Sequence, residues 1–208
     1  MWTVNLLLEA GCVTDLATVD RGIPPMHLAA QNSHVKVVEA LIAAGADRNQ
    51  GSSCMEATPL YVAAHQGHVE VVQVLIEAGV DMDKATTDIG ATPLYIAAKK
   101  GYVGVVRLLR DVGADVHRAL FITEATPLYV AARHGHVKVA RLLIEAGAKK
   151  DVQDTAEGYT PLTLAAASGH SACASLLLES GADALPQLMV KRPYTSQLRT
   201  AMPKLLVC

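Results

Sequence analysis

Residues 125–147 read ATPLYVAARHGHVKVARLLIEAG, and near-copies of this stretch recur along the chain at one fixed interval. The strongest copies are ATPLYVAAHQGHVEVVQVLIEAG at 57–79 and ATPLYIAAKKGYVGVVRLLRDVG at 91–113, with looser ones at 23–45 and 159–181. The step between copies is 34 residues, and the glycines that close them keep it at Gly11, Gly45, Gly79, Gly113, Gly147 and Gly181. Self-similarity at a fixed period indicates a repeat array.

Each copy carries the signals that begin and end two short helices. Threonine suits a helix N-cap because its hydroxyl accepts from a first-turn amide, and the proline that follows needs no amide donor. A glycine then ends the first helix in the left-handed conformation, and apolar residues at i, i+3, i+4 spacing predict a second helix. The predicted caps are Thr58, Thr92, Thr126 and Thr160, and the predicted helix-ending glycines are Gly67, Gly101, Gly135 and Gly169.

The pattern T-P-L-x-x-A-A, then G-H, then L-L-x-x-G-A resembles the ankyrin repeat, whose signature is T-P-L-H-x-A. The resemblance covers roughly residues 1–185 and implies an all-α solenoid of stacked helix-turn-helix units with β-hairpin or loop fingers. It also implies binding of other proteins through the fingers and the concave helix face, without catalysis. The spacing of 34 departs from the family's 33.

A second departure concerns the histidine of the signature, which survives only as His27. Later copies replace it with Tyr61, Tyr95, Tyr129 and Thr163. We expect the tyrosine hydroxyls to form hydrogen bonds locally at the repeat junctions, and a binding strip is the alternative.

The repeats divide the chain into three predicted regions. Residues 22–184 hold five full repeats, and residues 1–21 match only the second helix and finger of another repeat. Either that partial repeat is a reduced cap or the sequence is a fragment of a longer protein, and we favour the fragment. Residues 185–208 lose the register and are predicted to form an irregular cap or tail.

Composition excludes several functional classes. A net charge of −2 and a pI of about 6.4 argue against general affinity for nucleic acid or acidic membranes. No apolar run approaches the length of a membrane span, and none is expected. The four cysteines are far apart, which is typical of free thiols in a reducing compartment, so the cytoplasm or nucleus is predicted. We expect a monomer.

No catalytic signature is present, so we predict neither enzymatic activity nor a cofactor. Histidine recurs once per repeat directly after the helix-ending position, at His34, His68, His136 and His170. Because these copies lie one repeat apart rather than converging, we interpret them as structural and predict no metal site.

The candidate binding residues are those that vary within the constant frame. The two positions after each alanine pair hold His65 in one copy, Lys99 and Lys100 in the next, then Arg133 and His134. The basic centre predicts charge-assisted bonds to acidic side chains or to a phosphorylated segment. A solvated helix end is the alternative.

The fingers supply a second set of candidates. The loop RALFITE at 118–124 carries Leu120, Phe121 and Ile122, whereas the loops at 84–90 and 152–158 are polar. Met55 lies in the intermediate loop QGSSCME. Exposed apolar groups rimmed by polar ones mark contact sites. Folding of Phe121 onto the neighbouring finger is the alternative.

Two fingers lack the turn glycine that the others keep at Gly22, Gly90 and Gly158. Glu56 and Glu124 stand there instead, which predicts a different turn in these two fingers.

These observations lead to the hypothesis of a non-enzymatic adaptor or scaffold that binds a partner protein in the concave groove, centred on repeats two to four. The partner would present an acidic or phosphorylated segment together with apolar side chains. One alternative is the substrate-recruiting part of a larger enzyme, such as a ubiquitin-ligase receptor or a kinase. Another is a structural tethering array, and a nucleic-acid reader is disfavoured because the basic patch lacks interleaved aromatics.

Overall fold

The computed structural model describes residues 14–18, 22–53 and 55–184. Over these ranges the chain forms ten α-helices and no strand, as an all-α solenoid requires. The helices are α1 (Pro25–Gln31), α2 (Val35–Ala43), α3 (Pro59–Gln66), α4 (Val69–Glu77), α5 (Pro93–Lys100), α6 (Val103–Asp111), α7 (Pro127–Arg133), α8 (Val137–Glu145), α9 (Pro161–Ala167) and α10 (Ser171–Glu179). The predicted tail lies outside the described residues, as does most of the predicted partial repeat.

The threonine–proline pairs begin the first helix of repeats two to five, as predicted. The Thr92 hydroxyl accepts from the Tyr95 amide at 3.1 Å, and a bond of this kind caps α3, α7 and α9. In the first repeat Pro24 occupies the cap position and makes no side-chain bond. A threonine cap contributes about 1 kcal/mol, so α1 begins without that stabilisation.

A histidine ring covers the glycine that ends the first helix of the preceding repeat. A Cβ added to Gly101 would lie 2.6 Å from Nδ1 of His136. The Nε2 atom of the same ring lies 3.1 Å from the backbone oxygen of Lys99. We call this paired contact the histidine clasp. A Cβ on Gly101 would crowd the ring, which favours glycine beside the histidine. In the first repeat Ser33 takes the same left-handed position, and His68 still lies 2.9 Å from the Gln31 backbone oxygen.

The clasp recurs along the stack. The His170 ring covers Gly135 and its Nε2 lies 3.0 Å from the backbone oxygen of Arg133. In repeat three the ring of Tyr102 takes the place of histidine and covers Gly67. Successive repeats are therefore joined at the same helix end by a ring.

The hydrophobic core runs through the whole stack. First helices pack against the first helices of neighbouring repeats, and second helices pack against second helices. Leucines at repeat-equivalent positions are fully buried, and alanine pairs such as Ala97–Ala98 are equally inaccessible because the first helices approach closely. The leucines in question are Leu60, Leu94 and Leu128 in the first helices and Leu75, Leu109 and Leu143 in the second.

All the fingers share one turn. The Gly90 amide donates to the Thr86 carbonyl at 3.0 Å, and the Glu124 amide donates to the Leu120 carbonyl at 3.1 Å in the same way. Glu56 and Glu124 take φ values of 50° and 53°, in the left-handed region that Gly90 also occupies. The expectation of a different turn in these two fingers is therefore wrong. The hydrogen bonds of the turn hold each glutamate in a conformation that costs about 1 kcal/mol.

Neighbouring fingers are joined by backbone hydrogen bonds near their tips. The Phe121 amide donates to the Ile89 carbonyl at 3.0 Å, and the Thr87 amide donates to the Met55 carbonyl at 2.9 Å. The Thr155 amide donates to the Thr123 carbonyl at 3.0 Å and continues the row to the fifth finger. Consecutive finger tips therefore form one connected row beside the helices.

Candidate partner-binding site

Basic and histidine side chains of three consecutive repeats lie at the same end of the first helices. Lys99 and Lys100 are the last residues of α5, Arg133 is the last residue of α7, and His134 follows it. His65 lies in the last turn of α3. All except the half-buried His65 are exposed. We call these five residues the basic cluster.

The members of the basic cluster act on one another electrostatically. Burial lowers the pKa of His65 below its usual value, and the charges of Lys100 and Lys99 lower it further. The pKa of His134 is lowered first by burial and then by the charges of His136, Arg133, Lys99 and His170. The two histidine rings therefore lie in a shared positive potential that spans repeats two to four.

The three permanent charges of the cluster have no carboxylate partner among the described residues. Both ion pairs found there involve Arg110, which contacts Asp111 at 2.7 Å and Glu145 at 3.5 Å. Lys99, Lys100 and Arg133 are thus exposed cations without an ion pair in the described part of the chain.

The fourth finger (118–124) carries Phe121, whose ring lies against the third finger and still stays mostly exposed. A Cβ on Gly90 would lie 2.6 Å from the Phe121 ring, so the ring rests against the preceding finger. The ring nevertheless remains 61% exposed, and Ile122 is 73% exposed. Leu120 is half-buried and packs against the core, and Met55 is also half-buried.

Ile89 is an exposed apolar residue that the sequence analysis missed. It is 39% exposed, and its carbonyl accepts from the Phe121 amide, so it lies directly beside the fourth finger. The signal was an isoleucine inside the loop KATTDIG, which we classified as polar. We call Ile89, Phe121 and Ile122 the apolar tip.

The repeated tyrosines serve the repeat junctions in part as expected. Tyr129 is buried, and its hydroxyl forms a hydrogen bond with the Asp154 carboxylate of the next finger. Burial is the larger cause that raises the pKa of Tyr129, and the charge of Asp154 adds to it. Tyr95 is buried as well, and Tyr61 is half-buried with its ring 6.5 Å from that of His65. Burial of Tyr95 and Tyr129 leaves little area for a binding strip.

The part of the chain that the structure describes contains no group of three histidine, cysteine or acidic residues placed to hold a metal ion. None of its helices combines the length and the hydropathy needed to cross a lipid bilayer. The candidate site consists of exposed charge at the helix ends and exposed apolar area at the finger tips.

Stacked helix pairs joined by a shared core, with a row of fingers beside them, define a helical-repeat solenoid. A family model of ankyrin repeats matches the chain in three copies, over residues 2–86, 26–120 and 112–187. The chain belongs to the ankyrin repeat family. A search of curated proteins gave no match. Ankyrin repeats are generally protein–protein interaction modules without enzymatic activity, and they are common in intracellular proteins.

Proposed function

We propose that this chain is a non-enzymatic adaptor that holds a partner protein in its concave groove. The observation that carries the proposal is the set of exposed cations at the ends of α5 and α7, which have no carboxylate partner among the described residues. The partner segment carries acidic or phosphorylated side chains opposite these cations.

The basic cluster has the opposite sign of charge to the chain as a whole. The chain as a whole is slightly acidic, with a net charge of −2, so the basic cluster stands out against its surroundings. A patch of one sign attracts a segment of the opposite sign and steers its approach. A single exposed ion pair contributes at most about 1 kcal/mol, so Lys99, Lys100 and Arg133 must act together to set the preference for a partner.

The apolar tip adds contact area of a different kind. Full burial of a phenylalanine or isoleucine side chain contributes about 1.5–3 kcal/mol. Phe121 and Ile122 keep more than half of their surface exposed and would gain much of this on binding. We propose that an apolar part of the partner covers this tip and also contacts Leu120 and Met55.

The proposed interface extends over repeats two to four. A specific complex buries about 800 Å² on each partner, which three adjacent repeats can supply. We further propose a monomer that acts in the cytoplasm or nucleus, where reduced thiols persist. The free, buried Cys173 supports this compartment.

The test is an affinity capture with three forms of the chain. Wild type is compared with a charge-reversed variant (Lys99→Glu, Lys100→Glu, Arg133→Glu) using extract from the source cell. The matched control reverses three exposed charges on the second helices. Those control positions are Arg107, Lys138 and Arg141.

A partner retained by wild type and by the control, but lost with the groove variant, is the expected result. Titration of that purified partner against all three forms then gives the change in Kd. Equal retention by wild type and the groove variant would show that the cluster is only a solvated helix end.

A substrate-recruiting part of a larger enzyme would use the same groove. The sequence of the full-length transcript decides between that alternative and an independent adaptor. A tethering array would instead show many further repeats in that transcript.

A further inference from the structure

We infer that the basic cluster is a site for a phosphoryl group, so that the partner binds through a phosphorylated side chain rather than through carboxylates. This inference rests on the proposed function and narrows the chemistry of the partner.

The basic cluster offers an anion several charges and hydrogen-bond donors at neighbouring helix ends. Lys99, Lys100 and Arg133 bring three permanent charges, and no described carboxylate offsets them. A carboxylate carries one charge and is matched by a single guanidinium. A phosphorylated side chain carries about −1.5 to −2 charges and three acceptor oxygens, which suits donors that arrive from separate helices.

The cations of the basic cluster lie at the C-terminal ends of two helices. The C-terminal end of a helix carries partial negative charge, which repels an anion close to the backbone. Here the histidine clasps engage the carbonyl oxygens of Lys99 and Arg133. The long side chains carry the positive charge beyond the helix ends, and the clasps fix the backbone from which they extend. The cations are thus held on ends that the following repeats immobilise.

The two histidines of the basic cluster lie among cationic groups. On the α3 side His65 faces Lys99 and Lys100 from α5, and the preceding helix α1 ends in the uncharged Gln31. The groups that act on His134 are Arg133 beside it, Lys99 on one side, and His136 and His170 on the other. All of these are cationic or can become so. Burial is the largest cause of the low pKa of both histidines, and these charges lower it further. A bound dianion reverses that field, so each ring gains a proton more readily and supplies a further charged donor.

The test uses inorganic phosphate as the probe, with acetate at matched ionic strength as the comparison. The histidine ring signals of wild type are followed by NMR during titration at about pH 8, where phosphate is mainly a dianion. One exposed ion pair changes an equilibrium constant by up to about fivefold, so the extra charge of phosphate predicts binding that is tighter than acetate binding by up to about fivefold. We expect saturable shifts of the His65 and His134 signals with phosphate.

Two variants locate the response. A neutral variant (Lys99→Gln, Lys100→Gln, Arg133→Gln) should lose the saturable shift, and Gln at Arg107, Lys138 and Arg141 should leave it intact. Equal responses to phosphate and acetate would overturn the inference, as would a phosphate response that survives in the neutral groove variant.

A second measurement separates this inference from the proposed function. The captured partner is treated with phosphatase before it is titrated against wild type. Loss of affinity on dephosphorylation supports the phosphoryl site. Unchanged affinity that still depends on the three cations overturns the phosphoryl site and leaves the adaptor function standing.

Discussion

Substitution of Gly101 by alanine tests the histidine clasp. Gly101 has φ of 77°, and a Cβ at this position would meet the His136 ring at 2.6 Å. Gly79 has φ of 74° at the end of α4, and no described atom lies within 4 Å of the corresponding Cβ position. The two glycines therefore have nearly the same backbone conformation, and only one is covered by a ring.

The structure gives the expected loss of unfolding free energy for each of the two substitutions. Alanine in the left-handed region costs about 1 kcal/mol, and this is the full cost expected for Gly79→Ala. Gly101→Ala carries the same cost and also displaces the His136 ring from the Lys99 carbonyl, which removes a hydrogen bond that contributes about 1 kcal/mol. We therefore expect Gly101→Ala to lower the free energy of unfolding by about 2 kcal/mol.

Equilibrium unfolding in urea measures both variants, with the slope m checked so that only comparable transitions are used. A third chain, His136→Ala, and its combination with Gly101→Ala complete a double-mutant cycle. In the His136→Ala background the cost of Gly101→Ala should fall to the level of Gly79→Ala, because the ring is no longer there to be displaced. Equal costs for the two glycines in the wild-type background would refute the clasp as a stabilising contact.

Four further changes follow from the same structure. Leu109→Ala, in the fully buried core, should lower the free energy of unfolding by about 2–5 kcal/mol in a denaturant titration, and a value under 1 would contradict a shared core. Thr126→Ala removes the cap of α7 and should cost about 1 kcal/mol by the same assay, whereas Thr126→Ser should retain most of it. Phe121→Ala should weaken binding of the captured partner by about 2 kcal/mol in calorimetric titration while leaving the unfolding midpoint unchanged, and undiminished affinity would remove the ring from the site. Burial lowers the pKa of His27, so the unfolded chain binds a proton that the folded chain excludes and stability falls as pH drops below about 6.5. His27→Tyr should flatten that fall in unfolding midpoints measured across this range, and an unchanged slope would assign the pH dependence to other groups.

Much of the fold was predictable because its signals are local. The cap at Thr92, the proline after it and the glycine at 101 each act within one helical turn, and the structure confirms them. The repeat period then extends that local result to the whole stack. This is why five copies sufficed to place ten helices.

The turn at Glu124 was predicted wrongly because a local rule was applied to a position that its neighbours control. A left-handed residue favours glycine, but the hydrogen bonds of the finger impose the conformation on glutamate. The clasp escaped the sequence analysis for a similar reason. The contact between His136 and Lys99 joins residues 37 positions apart, and a pattern within one repeat does not reveal it.

The candidate site was predictable only as a set of positions. Sequence variation within the repeat placed Lys99 and Arg133 in equivalent slots, with Lys100 next to Lys99, and the structure shows that all three are exposed at the same end of the first helices. The sequence did not reveal Ile89 at the apolar tip, because exposure of that side chain depends on how two fingers lie against each other. Partner preference stays a prediction until the groove variants are measured.

In each clasp the histidine belongs to the later repeat and contacts the repeat before it. His136 contacts the end of α5, and His170 contacts the end of α7. The ribosome synthesises the chain from its N-terminus, so each helical hairpin leaves the exit tunnel before the ring that contacts its helix end. That contact forms only when the next hairpin has emerged. Folding during synthesis should therefore advance one unit behind translation, and the helix ends that carry the basic cluster become fixed only after the ring that follows them has been made.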